Sequence, residues 1–264
     1  MIKLELKDVS LDYADGDAVF RALDRVSFAV ARGEFVSLIG SSGCGKSTTL
    51  NILAGLKPPS SGQLLIDGLK SVGTGKNRGV VFQHYSLFPW LTARQNITLG
   101  LRQLGGQSSR ELSAIAGRYL DRVGLTGFED KYPYQLSGGM QQRVAIARVL
   151  ALRPEILLMD EPFGAVDAKN KIILQDLLLE LLDGDEDRKT VIFVTHDVNE
   201  AILLSDRVLF MRNKRIEEDI AIDLPRPRKR EDIYNTKAFG IYYKKIMVKF
   251  YQAVKENIGD DVVL

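Results

Sequence analysis

The chain has 264 residues, 45% hydrophobic and 27% charged, with a formal net charge of +2 at pH 7. That length can bury a substantial core in one large domain or two small ones, and the near-neutral balance lacks the concentrated basic excess of a nucleic-acid binder. A single cysteine, Cys44, excludes an internal disulfide and fits a reducing compartment.

The N-terminal stretch MIKLELKDVSLDY alternates charged and apolar side chains and has no apolar core of a signal peptide. The same alternation predicts half-buried strands over Ile2–Leu6 and Val26–Val30, and Phe35–Ile39 is an apolar run ending in glycines. STTLNILAGL reads as a short helix stopping at Gly55, and QLLIDG returns to strand with a turn at Asp67–Gly68. From about Leu87 to Leu152 the pattern is helical, broken at Gly105–Gly106, Gly124 and Pro133. Ile156–Met159, Val191–Val194 and Val208–Met211 are then short apolar runs separated by helix-like segments, the pattern of a parallel sheet covered on both faces. No run approaches the roughly 18 apolar residues of a membrane span, so the expected place is the cytoplasm, with any membrane role exercised through a partner.

Gly40-Ser41-Ser42-Gly43-Cys44-Gly45-Lys46-Ser47 fits G-x-x-x-x-G-K-[ST], after an apolar strand and before a helix. Glycines let backbone N–H groups converge on phosphate oxygens, and the helix start adds its positive dipole end. Gly40 through Thr48 are therefore candidate nucleotide-binding residues. Lys46 is placed to neutralise the β- and γ-phosphates and Ser47 to ligate Mg²⁺. Cys44 is no nucleophile candidate, but its alkylation is expected to obstruct nucleotide binding if the thiol is accessible.

Ile156-Leu-Leu-Met-Asp160-Glu161 delivers a carboxylate at the end of an apolar strand, where open α/β sheets bind ligands. Asp160 suits Mg²⁺ held through water, and Glu161 suits a general base for an attacking water. Leu136-Ser137-Gly138-Gly139-Met140-Gln141-Gln142-Arg143 opens a further helix. Ser137 is a good N-cap, yet two glycines directly after it lower helix propensity. They are explained if a phosphate approaches the backbone there.

With this element the chain resembles the ATPase subunits of ABC transporters, whose signature is LSGGQ; Met140 replaces the glutamine. The resemblance covers Leu4 to about Arg212. It implies a P-loop NTPase of the α/β class with a parallel-sheet core, an antiparallel β subdomain and an inserted helical subdomain at about 87–152. The nucleotide-binding domain would span 1–230 and a helical extension 231–264. It also implies that Gln83 reaches the Mg²⁺ and the attacking water. Asp167, in Gly164-Ala165-Val166-Asp167, reads across a dimer, and Ser137, Gly138 and Gly139 close over the partner's ATP. His196 contacts the γ-phosphate and Tyr13 stacks on adenine, with Phe20 as a competitor. His84 is left as a surface or interface residue.

The implied partners are a second ATPase subunit, two transmembrane permease subunits and an extracytoplasmic solute-binding protein, with this chain peripheral on the cytoplasmic face of the inner membrane. The apolar group Tyr85, Phe88, Pro89 and Trp90 would receive the permease. FQHYSLFPWLT and DEPFGAVDA look like the phrases of importers for small oxyanions, with nitrate first and bicarbonate or a sulfonate next. The alternative is a soluble ABC ATPase acting on nucleic acid or ribosomes. Near the end, Pro225–Arg230 reads as a solvated basic linker. Phe239, Tyr243, Ile246, Phe250 and Val254 read as one face of a helix packed on the body or a partner.

Overall fold

The computed structural model describes residues 1–16, 18–83, 86–164, 166–183 and 188–259. His84, Tyr85 and Ala165 lie outside the described residues, as does the side chain of Val254. The chain divides into two compact units, Met1–Gly75 with Leu181–Leu264 and Lys76–Glu180.

The first unit opens with the antiparallel strands β1 (Ile2–Asp15) and β2 (Ala18–Ala31), followed by β3 (Phe35–Gly40), α1 (Lys46–Ala54), β4 (Ser61–Ile66) and β5 (Leu69–Lys70). β1 and β2 are far longer than the alternating stretches predict. Asp8 and Arg25 take left-handed backbone conformations beside shifts in the pairing register. Such bulges displace the inside–outside alternation part-way along a strand. Hydroxyls secure them: Ser27 Oγ accepts from the Asp8 N–H at 2.8 Å and Ser10 Oγ from the Arg25 N–H at 3.0 Å. β1, β2, β4 and β5 form an antiparallel sheet in the order β2-β1-β4-β5.

The second unit contains β6 (Arg78–Val81), α2 (Ala93–Arg102), α3 (Ser109–Arg122), α4 (Gly138–Ala151) and β7 (Ile156–Asp160), and most of α5 (Ala168–Asp183). β6 and β7 pair in parallel, while α2, α3 and α4 pack on one another. Side-chain caps open the helices. Thr92 and Ser108 head α2 and α3 with full capping boxes completed by Gln95 and Glu111.

The first unit resumes with β8 (Thr190–Val194), α6 (Val198–Leu204), β9 (Arg207–Arg212), β10 (Arg215–Ala221), α7 (Arg230–Ile233) and α8 (Lys237–Gly259). β3 lies parallel to both β8 and β9, and β10 closes antiparallel on β9. Every residue of β3 and β8 is buried, which is why both read as unbroken apolar runs.

The C-terminal segment belongs to this body. Phe239, Ile246 and Ala253 of α8 are buried, and Tyr242, Met247 and Phe250 pack beside them over Ile202, Phe210 and Ile222. Phe239, Ile246 and Phe250 thus lie on the expected face; Tyr243 departs from it, being 38% exposed, and Tyr242 packs instead, its hydroxyl accepting from the Asp223 N–H at 3.0 Å. Full burial of Phe239 or Ile246 contributes about 1.5–3 kcal/mol each, so the body itself holds the helix.

The run Pro225–Arg230 is also more than a solvated linker. Arg228 is only 4% exposed and donates to the carbonyls of Ile202, Leu203 and Ser205 at 2.9, 3.3 and 2.6 Å, and to those of Ile222 and Leu224 at 3.1 and 3.2 Å. It thereby gathers the orphan carbonyls at the end of α6, where a cation also meets the negative helix pole. Arg226 adds a bond to Leu204 O at 2.6 Å and an ion pair to Asp206 at 2.9 Å. Burial opposes ionisation of Asp206, but the Phe35 N–H and the Arg226 and Arg188 guanidiniums hold its carboxyl below the ordinary range.

Arg228→Ala should lower the stability by at least about 2 kcal/mol, because several buried carbonyls lose a charged donor. Chemical denaturation of the two proteins checks this through the transition midpoint.

Candidate functional site

The candidate residues fall into two groups, one on each unit. In the first, β3 ends at Gly40, and a Cβ there would lie 2.1 Å from the Met211 carbonyl oxygen of β9. No side chain fits at this point, where the strand passes into the loop. Gly45 stands in the left-handed region at the head of α1, and no side chain caps that helix. The uncapped N–H groups and the positive dipole end make an anion cradle.

Lys46 is 7% exposed and folds over the loop, donating to Gly40 O at 2.9 Å and Ser41 O at 3.0 Å. Its ammonium thus stands among the loop carbonyls, where phosphate oxygens compete for it. Ser42, Gly43 and Ser47 are exposed, and Ser41 and Thr48 half-buried. Cys44 is buried, and burial pushes its thiol pKa up against the opposing charge of Lys46. The accessibility on which its alkylation depends is therefore lacking.

His196 is exposed just beyond β8. Tyr13 pairs directly with Phe20 across β1 and β2, so both rings lie on one face of the hairpin. Lys57 Nζ lies 5.7 Å from the Tyr13 ring and Lys214 Nζ 4.2 Å from the Phe20 ring. Both rings are partly exposed.

In the second unit, β7 delivers Asp160 at its half-buried end, and Glu161 follows with φ 41°. A non-glycine residue in that region carries strain of about 1–3 kcal/mol, which persists where the surroundings impose it. Here the Gly164 N–H donates to Glu161 O at 3.0 Å and closes the turn. Gln83 Nε2 donates to Glu161 Oε2 at 3.4 Å, which brings two of the predicted catalytic side chains together.

Ser137 caps α4, its hydroxyl accepting from the Met140 N–H at 3.3 Å. Gly138 is half-buried. Gly139 has a reason within the chain itself: a Cβ there would press on Asn170 Cβ and Cγ at 3.0 Å. Asn170 in turn donates to Asp167, from Nδ2 at 2.6 Å and from its N–H at 3.1 Å. Those bonds hold the Asp167 carboxyl below the ordinary range. Sequence reading missed Asn170, although Asp167 three residues before it carries the signal of a helix N-cap.

A strand, a glycine loop with an inward-folded lysine and an uncapped helix together define a P-loop nucleotide-binding protein. The ABC transporter family model matches residues 23–164. An uncharacterized ABC transporter ATP-binding protein of Methanocaldococcus jannaschii is 49% identical over 248 residues, or 93% of this chain and 90% of that protein. The bicarbonate transport ATP-binding protein CmpC and the nitrate import ATP-binding protein NrtC of Synechococcus elongatus are each 48% identical. Those matches span 83% and 84% of this chain but 33% and 34% of the relatives.

A dimeric ATP-binding cassette solved in a post-hydrolysis state with ADP and Pi is similar at TM-score 0.75 and 37% identity, over 84% of this chain and 100% of that one. For cbiO1 from Clostridium perfringens, part of the ABC transporter complex cbiONQ, the TM-score is 0.74 at 29% identity, over 84% of this chain and 89% of that one. This chain belongs to the ABC transporter family, as an ATP-binding subunit that hydrolyses ATP. The parallel core, the antiparallel sheet and the helical region expected of that fold are all present.

Cys44 should react with a thiol probe at pH 8 far more slowly in the folded protein than in denaturant. A raised pKa leaves less thiolate at that pH, and burial blocks access. Timed labelling in the two states measures the ratio.

Proposed function

We propose that this chain powers import of a small anion, nitrate first and bicarbonate or a sulfonate next, from the cytoplasmic face of the inner membrane. The observation that carries the catalytic reading is the approach of Gln83 to Glu161 at the end of β7. A carboxylate beside an amide can take a proton from water while the amide fixes the water's direction. On this reading Glu161 receives that proton. The water oxygen bonds to the γ-phosphorus as its bond to the β-phosphate oxygen breaks, leaving ADP and phosphate. Lys46 and His196 offset the charge that gathers on the γ-phosphate oxygens.

Gly40 to Thr48 hold the phosphates and Tyr13 the adenine. Ser47, Gln83 and Asp160 offer hydroxyl, amide and carboxylate oxygens, a donor set that suits a hard cation such as Mg²⁺ with phosphates completing its shell. When bound, Mg²⁺ supplies positive charge against the β- and γ-phosphate oxygens.

Ser137, Gly138, Gly139 and Asp167 are assigned to the nucleotide held by a second ATPase subunit. The dimeric cassette among the structural neighbours supports this assignment. Domain boundaries follow the family: 1–230 for nucleotide binding, with the helical insertion at about 87–152, and 231–264 as extension.

Two transmembrane permease subunits and a solute-binding protein complete the assembly. Among the described residues no helix is long and apolar enough to cross a membrane. An exposed aromatic pair supports a permease contact: Phe88 and Trp90 pack at 5.6 Å, with Trp90 69% exposed. The fully buried Asn96 staples their loop, accepting from the Phe88 N–H at 2.8 Å and donating to Phe88 O, Leu91 O and Thr92 O. Rings held so firmly in solvent mark an interaction surface. The equal identity to a nitrate and a bicarbonate relative supports the small-anion class as a whole. None of the relatives described above supports the alternative of an ABC ATPase acting on nucleic acid or ribosomes.

Glu161→Gln should lower kcat by about 10²–10⁴-fold while ATP affinity is retained; steady-state turnover and equilibrium nucleotide binding measure the two, and unimpaired turnover would remove Glu161 from its role. Lys46→Ala should instead lose nucleotide affinity, and normal affinity would undermine the phosphate-loop assignment. Isolation from the native membrane tests the transport reading. Recovery with two hydrophobic subunits, and ATPase stimulation by nitrate after reconstitution, is the expected result. Recovery with ribosomes or DNA overturns it.

A further inference from the structure

The turn carrying His196 is fastened by two buried side chains that the proposed catalysis does not use. Thr195 is 2% exposed, and its N–H donates to Leu38 O of β3 at 3.3 Å. Its hydroxyl accepts from the Asp197 N–H at 3.0 Å and donates to Glu200 Oε2. Glu200 is 4% exposed and lies in the first turn of α6. Asp197 caps that helix, its Oδ1 accepting from the N–H groups of Asn199 at 2.8 Å and Glu200 at 3.4 Å.

Asp197 and Glu200 have the spacing of a capping box, in which the acidic side chain accepts from the N-cap N–H. Here the Thr195 hydroxyl stands between the two, as donor to the carboxylate and acceptor from the amide. The residues on either side of His196 are thus tied to each other and, through Glu200, to α6. An ordinary cap needs only Asp197. Burying a carboxylate as well is costly without a partner of this kind, and here that partner ties down the backbone on both sides of His196. We propose that Glu200 and Thr195 are positioning residues for His196, which hold its side chain in the direction it needs to meet the γ-phosphate. The proposal rests on the reading of His196 as that contact.

Thr195→Val removes the hydroxyl at nearly constant volume, and Thr195→Ser keeps it. Steady-state ATPase assays on the full chain with both variants, His196→Ala and the double variant Thr195→Val/His196→Ala decide the matter. Expected for Thr195→Val is a kcat about ten-fold lower or more, with the KM for ATP within about two-fold. Thr195→Ser should recover most of the loss, and the double variant should be no slower than His196→Ala alone, since both changes act on one group.

Should Thr195→Val fail to fold, Glu200→Met replaces it: this variant keeps length and burial but removes the acceptor of the Thr195 hydroxyl, and the same kcat loss, unchanged KM and non-additivity with His196→Ala are expected. A wild-type kcat in the folded variant, a raised KM with unchanged kcat, or a loss that adds to that of His196→Ala overturns the proposal. If His196→Ala alone turned over normally, the reading of His196 would fall. A kcat loss in Thr195→Val would then give Thr195 and Glu200 a role apart from His196, which also overturns the latch.

Discussion

β3 and β9 run so close at Gly40 that the Met211 carbonyl occupies the space of a side chain. β3 is buried along its whole length between β8 and β9, and only glycine fits where it passes into the loop. From there the glycine loop, the uncapped start of α1 and the inward fold of Lys46 follow as one geometry. The same packing buries Cys44 beneath the loop. Each feature costs local stability, and the buried sheet underneath supplies it.

The first unit meets its remaining polar demands with arginines placed where carbonyls and carboxylates crowd. Arg228 takes five carbonyls, at the end of α6 and after β10, and Asp206 draws Arg226, Arg188 and the Phe35 N–H together. Isolated surface ion pairs add little to stability. These groups matter because they are partly or wholly out of water and satisfy polar atoms that would otherwise be stranded. The C-terminal segment is consequently part of the domain's own architecture, with α8 covering the same cluster that contains Ile202 and Phe210.

Much of this was legible in the residues. β3, the phosphate loop and α1 stand out because apolar periodicity, glycine spacing and a lysine all agree. The caps of α2 and α3 announce themselves through Thr92 and Ser108. Less was legible in β1 and β2, where bulges at Asp8 and Arg25 shift the alternation on which strand recognition depends. Nothing local distinguishes Arg228 from its solvated neighbours, because its partners lie about 4 to 26 positions away. On α8 the positions Phe239, Ile246 and Phe250 were legible, but Tyr242 and Tyr243 are alike in composition and only the bond from Asp223 separates them. In the candidate site, the strand ends announce Asp160, Glu161 and His196. The approach of Gln83 to Glu161, and that of Asn170 to Gly139, depend on chain segments brought together only by folding.

Asn170 joins two segments that sequence treats separately: it bonds Asp167 with both its amide groups and lies flat against Gly139. A linkage of short, directional contacts has little slack. A shift of Asn170 towards α4 therefore meets the backbone at the head of that helix directly. Any side chain at position 139 would overpack that joint and force Asn170 to shift. The glycine acts there as a bearing surface, and the closeness of the contact depends on its having nothing to offer but backbone.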